Sequence, residues 1–117
     1  MHYKPGLHIL SEFNSANQLL LAKSAGFRNH VDLLIATYNL HKVGEVYHEF
    51  EGGGFTAVVC LTESHLSIHT WPEYKLATFD VFLSNYQTEN DEKARAIYKS
   101  ILAFYDGIEI QKNEIKR

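Results

Sequence analysis

The chain has 117 residues, 45% of them hydrophobic, and a formal charge of -3, which suits one domain able to bury roughly two-thirds of its unfolded surface. Its pI is near 6.1 and its 11 Lys and Arg are scattered, excluding the electrostatic footprint of a nucleic-acid or anionic-membrane binder. Cys60 is the single cysteine, and no apolar run approaches a signal-peptide core or a membrane span, so a reducing cytoplasmic setting is expected, with small molecules or another protein as partners.

After Pro5-Gly6, the apolar residues Leu7, Ile9, Leu10 and Phe13 alternate imperfectly and predict a strand. Asn14 or Ser15 is the expected cap of a helix starting near Asn17 and pausing around Gly26, although Asn17 is itself a capping residue. Val31, Leu34, Ile35 and Tyr38 keep helical spacing, which predicts a second helical stretch from Asn29 to about Lys42, ended by Gly44. Val46–Phe50, Phe55–Leu61, Leu66–Trp71 and Leu76–Leu83 are rich in β-branched and aromatic residues and are divided by Gly52-Gly53-Gly54 and Pro72-Glu73-Tyr74-Lys75, which predicts four strands.

Thr88 or Asn90 is the expected cap of a last helix, in which Ala94, Ile97, Tyr98, Ile101, Leu102 and Tyr105 form one apolar face before Gly107. Ile108 and Ile110 predict a short edge strand ahead of a charged tail. The expected class is α+β, a two-layer sandwich with a largely antiparallel sheet and helices on one face, forming a single domain over 1–117.

Polar, reactive side chains concentrate in Thr62-Glu63-Ser64-His65-Leu66-Ser67-Ile68-His69-Thr70-Trp71-Pro72-Glu73. His65 and His69 have a spacing that chelates zinc on a helix, but on a strand at ~3.3 Å per residue they stand about 13 Å apart, so no metal site is expected. Ser64 lacks the Gly-x-Ser-x-Gly elbow of hydrolases, and the triple glycine lacks the Lys-Ser/Thr of a phosphate loop.

The stretch Glu63–Glu73 closely resembles the processing-site signature of bacterial and archaeal S-adenosylmethionine decarboxylases, and a weaker similarity runs from His8-Ile9-Leu10-Ser11-Glu12-Phe13 through Phe79-Asp80-Val81-Phe82. The resemblance implies a precursor that cuts itself between Glu63 and Ser64, leaving a pyruvoyl group made from Ser64, whose carbonyl forms a Schiff base with an amino-acid substrate. It implies that His69 assists processing, that Thr56 supplies the hydroxyl of a serine found eight residues before the processing site in relatives, and that Phe50, Glu73 and Glu12 contact the substrate. It also implies a homodimer with sites near the subunit interface and a product that serves spermidine synthesis.

Two positions depart from the family pattern. Ser84 stands where relatives carry a cysteine that donates a proton to the decarboxylated carbon, and a hydroxyl is a far weaker acid than a thiol. Ala16-Asn17 stands where Cys-Asp is common. Cys60, in an apolar strand before the processing site, is expected to be buried and inert. The alternatives to S-adenosylmethionine decarboxylation are therefore a pyruvoyl decarboxylase of another amino acid, such as arginine or ornithine, and a noncatalytic regulatory or binding homologue.

Overall fold

The computed structural model describes residues 3–117. In chain order the elements are β1 (Leu7–Asn14), α1 (Gln18–Ala22), α2 (Ala25–Thr37), β2 (Lys42–Glu49), β3 (Phe55–Leu61), β4 (His65–Trp71), a short 3-10 turn (Pro72–Tyr74), β5 (Leu76–Leu83), α3 (Asp91–Phe104) and β6 (Ile108–Lys116). The strands form one six-stranded sheet in the order β2-β3-β4-β5-β1-β6, with every neighbouring pair antiparallel.

Strand alternation divides the sheet into two faces. Leu7, Ile9 and Phe13 of β1, Phe55, Ala57 and Val59 of β3, Leu66 and Ile68 of β4, and Ala77, Phe79 and Val81 of β5 are buried in the same cluster as Leu21, Phe27, Val31, Leu34, Ala94, Ile97 and Ile101 of the helices. The three helices therefore cover one face, as the pattern predicts, and each fully buried Leu, Ile or Phe contributes roughly 1.5–3 kcal/mol. Among the described residues no helix or strand covers the other face.

The local boundaries differ from the sequence expectation in four places. Asn17, not Asn14 or Ser15, caps α1, its side chain accepting from the Leu20 N–H at 3.1 Å. The break between helices falls at Ser24 rather than Gly26, because the Glu49 carboxylate accepts from both Ser24 N–H and Ser24 hydroxyl, at 2.7 and 2.8 Å, and those bonds hold its carboxyl below the usual carboxylate range. The second helix ends at Thr37, where Asn39 takes φ 55°; Leu40 N–H reaches Ile35 O at 2.9 Å and Asn39 N–H reaches Ala36 O, a Schellman close with asparagine in glycine's place. Residues 42–44 consequently start β2, and Gly44 sits in a strand.

The fourth difference is the tail. Instead of ending after Ile110, the last strand pairs along β1 as far as Lys116 opposite Leu7, with a bulge near Glu12. Gly107 leads into it in close quarters: a Cβ there would lie 2.8 Å from Leu102 Cδ1 and 2.9 Å from Phe13 Cδ1, so those side chains would have to shift to take one.

Candidate active site

The uncovered sheet face carries the chemistry in two rows. Pairing aligns His48, Thr56, His69, Thr78 and Glu12 across five strands. Within that row Thr56 Oγ1 and His69 Nδ1 are 2.9 Å apart, and the His69 ring stacks near Trp71. With Nδ1 engaged by Thr56, the Nε2 side of His69 is the one left for other partners. Thr56 and His69, both named from the sequence, thus form a hydrogen-bonded pair.

The second row aligns Cys60, His65, Phe82 and His8. His8 is buried, with its ring 5.5 Å from that of His65 and 5.7 Å from that of Phe82, and burial lowers its pKa. Cys60 corrects the expectation: its side chain is exposed on the open face. The run Val58-Val59-Cys60 is apolar because both faces of β3 are, not because both are covered.

Ser64 lies in the turn joining β3 to β4, closed by Leu61 N–H to Ser64 O at 2.9 Å. The main-chain N–H of Ser84, just beyond β5, donates to Ser64 Oγ at 3.1 Å. Two cavities flank this turn. One of about 500 Å³ is lined by Tyr3, Glu63, Ser84 and Tyr86; the other, of about 390 Å³, is lined by His41, Ser64, Ser84, Asn90 and Lys93. Glu63, Ser64 and Ser84 are therefore brought together.

Phe50 and Glu73 lie at the opposite end of the sheet. Gly54, at φ 98°, brings the β2–β3 turn against the β4–β5 turn, where a Cβ would meet Thr70 O at 3.0 Å and Pro72 Cδ at 3.1 Å. Phe50 is exposed and packs edge-on against His48 at 5.3 Å, so it belongs with the Thr56–His69 end. The sequence-named residues fall into two clusters: Glu63, Ser64 and Ser84 at one end, and Phe50, Thr56, His69 and Glu73 towards the other, with Glu12 in the His69 row. Among the described residues no three His, Cys, Asp or Glu side chains form a metal-binding group. Nor is any helix long and apolar enough to cross a membrane.

The sequence model of S-adenosylmethionine decarboxylase matches residues 7–117. The chain belongs to the S-adenosylmethionine decarboxylase family. It is similar to the S-adenosylmethionine decarboxylase proenzyme of Archaeoglobus fulgidus, 40% identical over 93 residues that cover 80% of this chain and 82% of the relative. It also resembles the proenzyme of Aquifex aeolicus, 40% identical over 77 residues, covering 66% of this chain but 57% of that longer one. The crystal structure of adenosylmethionine decarboxylase from Aquifex aeolicus superimposes with a TM-score of 0.80 at 28% identity, covering 99% of this chain and 91% of that one.

Family members use a pyruvoyl group, and the turn at Ser64 fits one. A bond between Glu63 and Ser64 lies outside both flanking strands, so cutting it removes no rung of the β3–β4 ladder. The pieces 1–63 and 64–117 would alternate across the sheet, β2 and β3 with the first, β4 and β5 with the second, β1 with the first and β6 with the second. Three seams, β3–β4, β5–β1 and β1–β6, would hold them together. The structure also shows what sequence reading missed near this site: His8, a histidine inside an apolar strand, and the asparagines Asn85 and Asn90 behind Ser84.

Proposed function

We propose that the chain is a self-processing, pyruvoyl-dependent decarboxylase whose substrate is S-adenosylmethionine. The observation that carries this reading is Ser64 in the β3–β4 turn with its Oγ held by Ser84 N–H at 3.1 Å, next to the Glu63 carbonyl and within the family's signature. In processing, Ser64 Oγ adds to the Glu63 carbonyl carbon, the Glu63–Ser64 C–N bond breaks, and the hydroxyl proton ends on the freed amine, leaving an ester. Loss of the Ser64 Cα proton and breakage of Cβ–Oγ release the Glu63 carboxylate. Water then replaces the nitrogen, which leaves as ammonia.

The pyruvoyl group supplies an electron-accepting carbonyl for loss of carbon dioxide from an amino acid. The chain's own residues do the rest. Phe50 offers an exposed aromatic face to an adenine and Glu73 a carboxylate to ribose hydroxyls. His69, oriented by Thr56, handles a proton during processing. Glu12 lines the same row.

Ser64 sits in the turn before His65, and His69 is four residues along β4 from His65, about 13 Å at ~3.3 Å per residue, so His69 and Thr56 do not reach the Ser64 of their own chain. This supports a homodimer in which the uncovered sheet face of one copy meets that of another. That face carries Val46 and Val58 exposed at 69% and 43%, apolar area that a sheet-on-sheet contact would cover. Each site would then combine Ser64 and Ser84 of one copy with the Thr56–His69 end of its partner.

Ser84 favours a second reading, a homologue that binds but does not turn over, or one whose substrate is another amino acid such as arginine or ornithine. The deciding experiment is the intact mass of purified protein under denaturing conditions, alongside Ser64→Ala. Fragments ending at Glu63 and starting at a blocked residue 64, absent from the variant, are expected; a single uncut wild-type chain overturns self-processing. Carbon dioxide release from S-adenosylmethionine, arginine and ornithine then separates the substrates.

A further inference from the structure

We propose that Asn90, set by Asn85, is a positioning residue for self-processing: by holding the Ser84 carbonyl it fixes the main chain at Ser84, so that the N–H on the other side of the Ser84 Cα holds Oγ of Ser64 through cleavage. This rests on the reading of Ser64 as the processed serine.

Ser84 opens the irregular segment between β5 and α3, and such connecting backbone is ordinarily the least constrained part of a fold. Here side-chain amides close it into a ring. Asn85 is only 3% exposed; its Nδ2 donates to Pro5 O at 3.0 Å and to Asp91 Oδ1 at 2.9 Å, and its Oδ1 accepts from Asn90 N–H at 2.6 Å. Asn90 Nδ2 in turn donates to Ser84 O at 2.8 Å. Lys116 holds Asp91 at 2.6 Å and so anchors the ring to β6. The first and last residues of the segment are thereby tied to each other, beside the processing turn.

The chemistry explains why a fixed donor matters at that atom. Negative charge builds on Ser64 Oγ twice: as it gives up its proton, before its electron pair forms the bond to the Glu63 carbon and the charge passes to the Glu63 oxygen, and again as the Cβ–Oγ bond breaks and its electron pair goes to the departing carboxylate. An N–H already aimed at Oγ stabilises both without reorganising. Asn90 does not touch the reacting atoms; it acts through the main chain on either side of the Ser84 Cα, bonding the carbonyl while the N–H meets Ser64.

The test is a cycle on the full-length precursor. Asn90→Asp sets a carboxylate oxygen against Ser84 O, and a separate backbone variant carries the α-hydroxy analogue of serine at residue 84, which exchanges the N–H for an ester oxygen and keeps every side chain. Each should slow appearance of the 64–117 fragment by about tenfold or more, with the unfolding midpoint within about 3 °C of wild type. The double variant should be no slower than the slower single, because Asn90 acts only through the Ser84 N–H contact that the backbone variant removes.

A wild-type rate in either folded variant, or a double whose slowing is the product of the two singles, overturns the proposal. Where Asn90→Asp fails to fold, Asn90→Ala takes its place in the cycle. An uncut wild-type chain is a separate result that removes the processing reading itself.

Discussion

The Thr56 hydroxyl and the His69 ring meet at 2.9 Å across β3 and β4, yet Ser64, which they are expected to serve, lies in the turn beyond His65, and His65 is itself about 13 Å along β4 from His69. If the site is shared between two copies, damage on different copies is complementary. Ser64→Ala and His69→Ala chains, each uncut when expressed alone, should on co-expression give cleavage of the His69→Ala chain, up to about half of it, since mixed dimers carry one intact site. Mass spectrometry of the mixture reads this directly. No cleavage in demonstrably mixed dimers would make the site intramolecular.

Alternation of the two pieces across the sheet predicts that processing leaves the fold intact. β1 sits between β5 and β6, so separating 1–63 from 64–117 breaks three strand pairings at once and exposes the core. The fragments should elute together under native conditions and separate only in denaturant. The midpoint of unfolding should become more strongly dependent on protein concentration after cleavage, because unfolding of each protomer then releases two chains.

The strands were legible because period-two alternation is a local property, and the family resemblance named Thr56 and His69, which the sheet sets in hydrogen-bond contact. The break at Ser24 was not, because the group that satisfies it, Glu49, is on β2. Nor was the length of β6: Gln111, Asn113 and Glu114 read as part of a charged tail, and only pairing with β1 makes them a strand. The Asn85–Asn90 ring escaped for a similar reason, since its meaning lies in contacts to Pro5, Asp91 and Ser84 that polar loop composition does not encode. Asn39 was passed over for Gly44 because asparagine is the rarer left-handed helix terminator.

Tyr105 offers a test of packing. Its side chain is fully buried, its hydroxyl has no hydrogen-bond partner among the described residues, and burial pushes its pKa well above the ordinary tyrosine value. An unsatisfied buried hydroxyl costs about 1–3 kcal/mol. Tyr105→Phe should therefore unfold at the same temperature as wild type or higher, whereas Tyr105→Ala should lose about 3–5 kcal/mol. A marked drop for the phenylalanine variant would mean that the hydroxyl is bonded in solution.

The pH dependence of stability follows from His8 and His30. Burial is the largest cause that lowers each; Asp80 opposes it at His8, while His65 and Arg117 add to it, and the bond to Ser100 opposes it at His30. Arg117 can only donate, so its contact with His8 Nδ1 at 3.2 Å requires that nitrogen to be unprotonated. Because the folded pKa lies below the unfolded value of about 6.5, the unfolded chain takes up protons first, and stability is full above that pH and lost as pH falls through the folded pKa. Asp91, Glu45 and Glu114 are also lowered, chiefly by Lys116, Lys42 and Arg95, and add a further loss in stronger acid. The unfolding midpoint should decline from pH 7 to pH 5, and the pair His8→Gln with His30→Gln should flatten that decline; an unchanged slope would assign it elsewhere.

Ser84 makes the last prediction a chemical one. Its main-chain N–H already serves Ser64, and that role is independent of the side chain, so processing should tolerate Ser84→Cys. Turnover should not be indifferent, because a thiol with an ordinary pKa near 8.5 delivers a proton to carbon far more readily than an alcohol. Ser84→Cys should raise kcat for S-adenosylmethionine about tenfold or more, at an unchanged rate of fragment appearance. Cys60, although exposed, is on β3 before the processing turn, and Cys60→Ser should leave the wild-type rate unaltered. If Ser84→Cys changes nothing and Cys60→Ser abolishes turnover, the proton comes from the β3 thiol and the loss of cysteine at residue 84 has been compensated within the same sheet face.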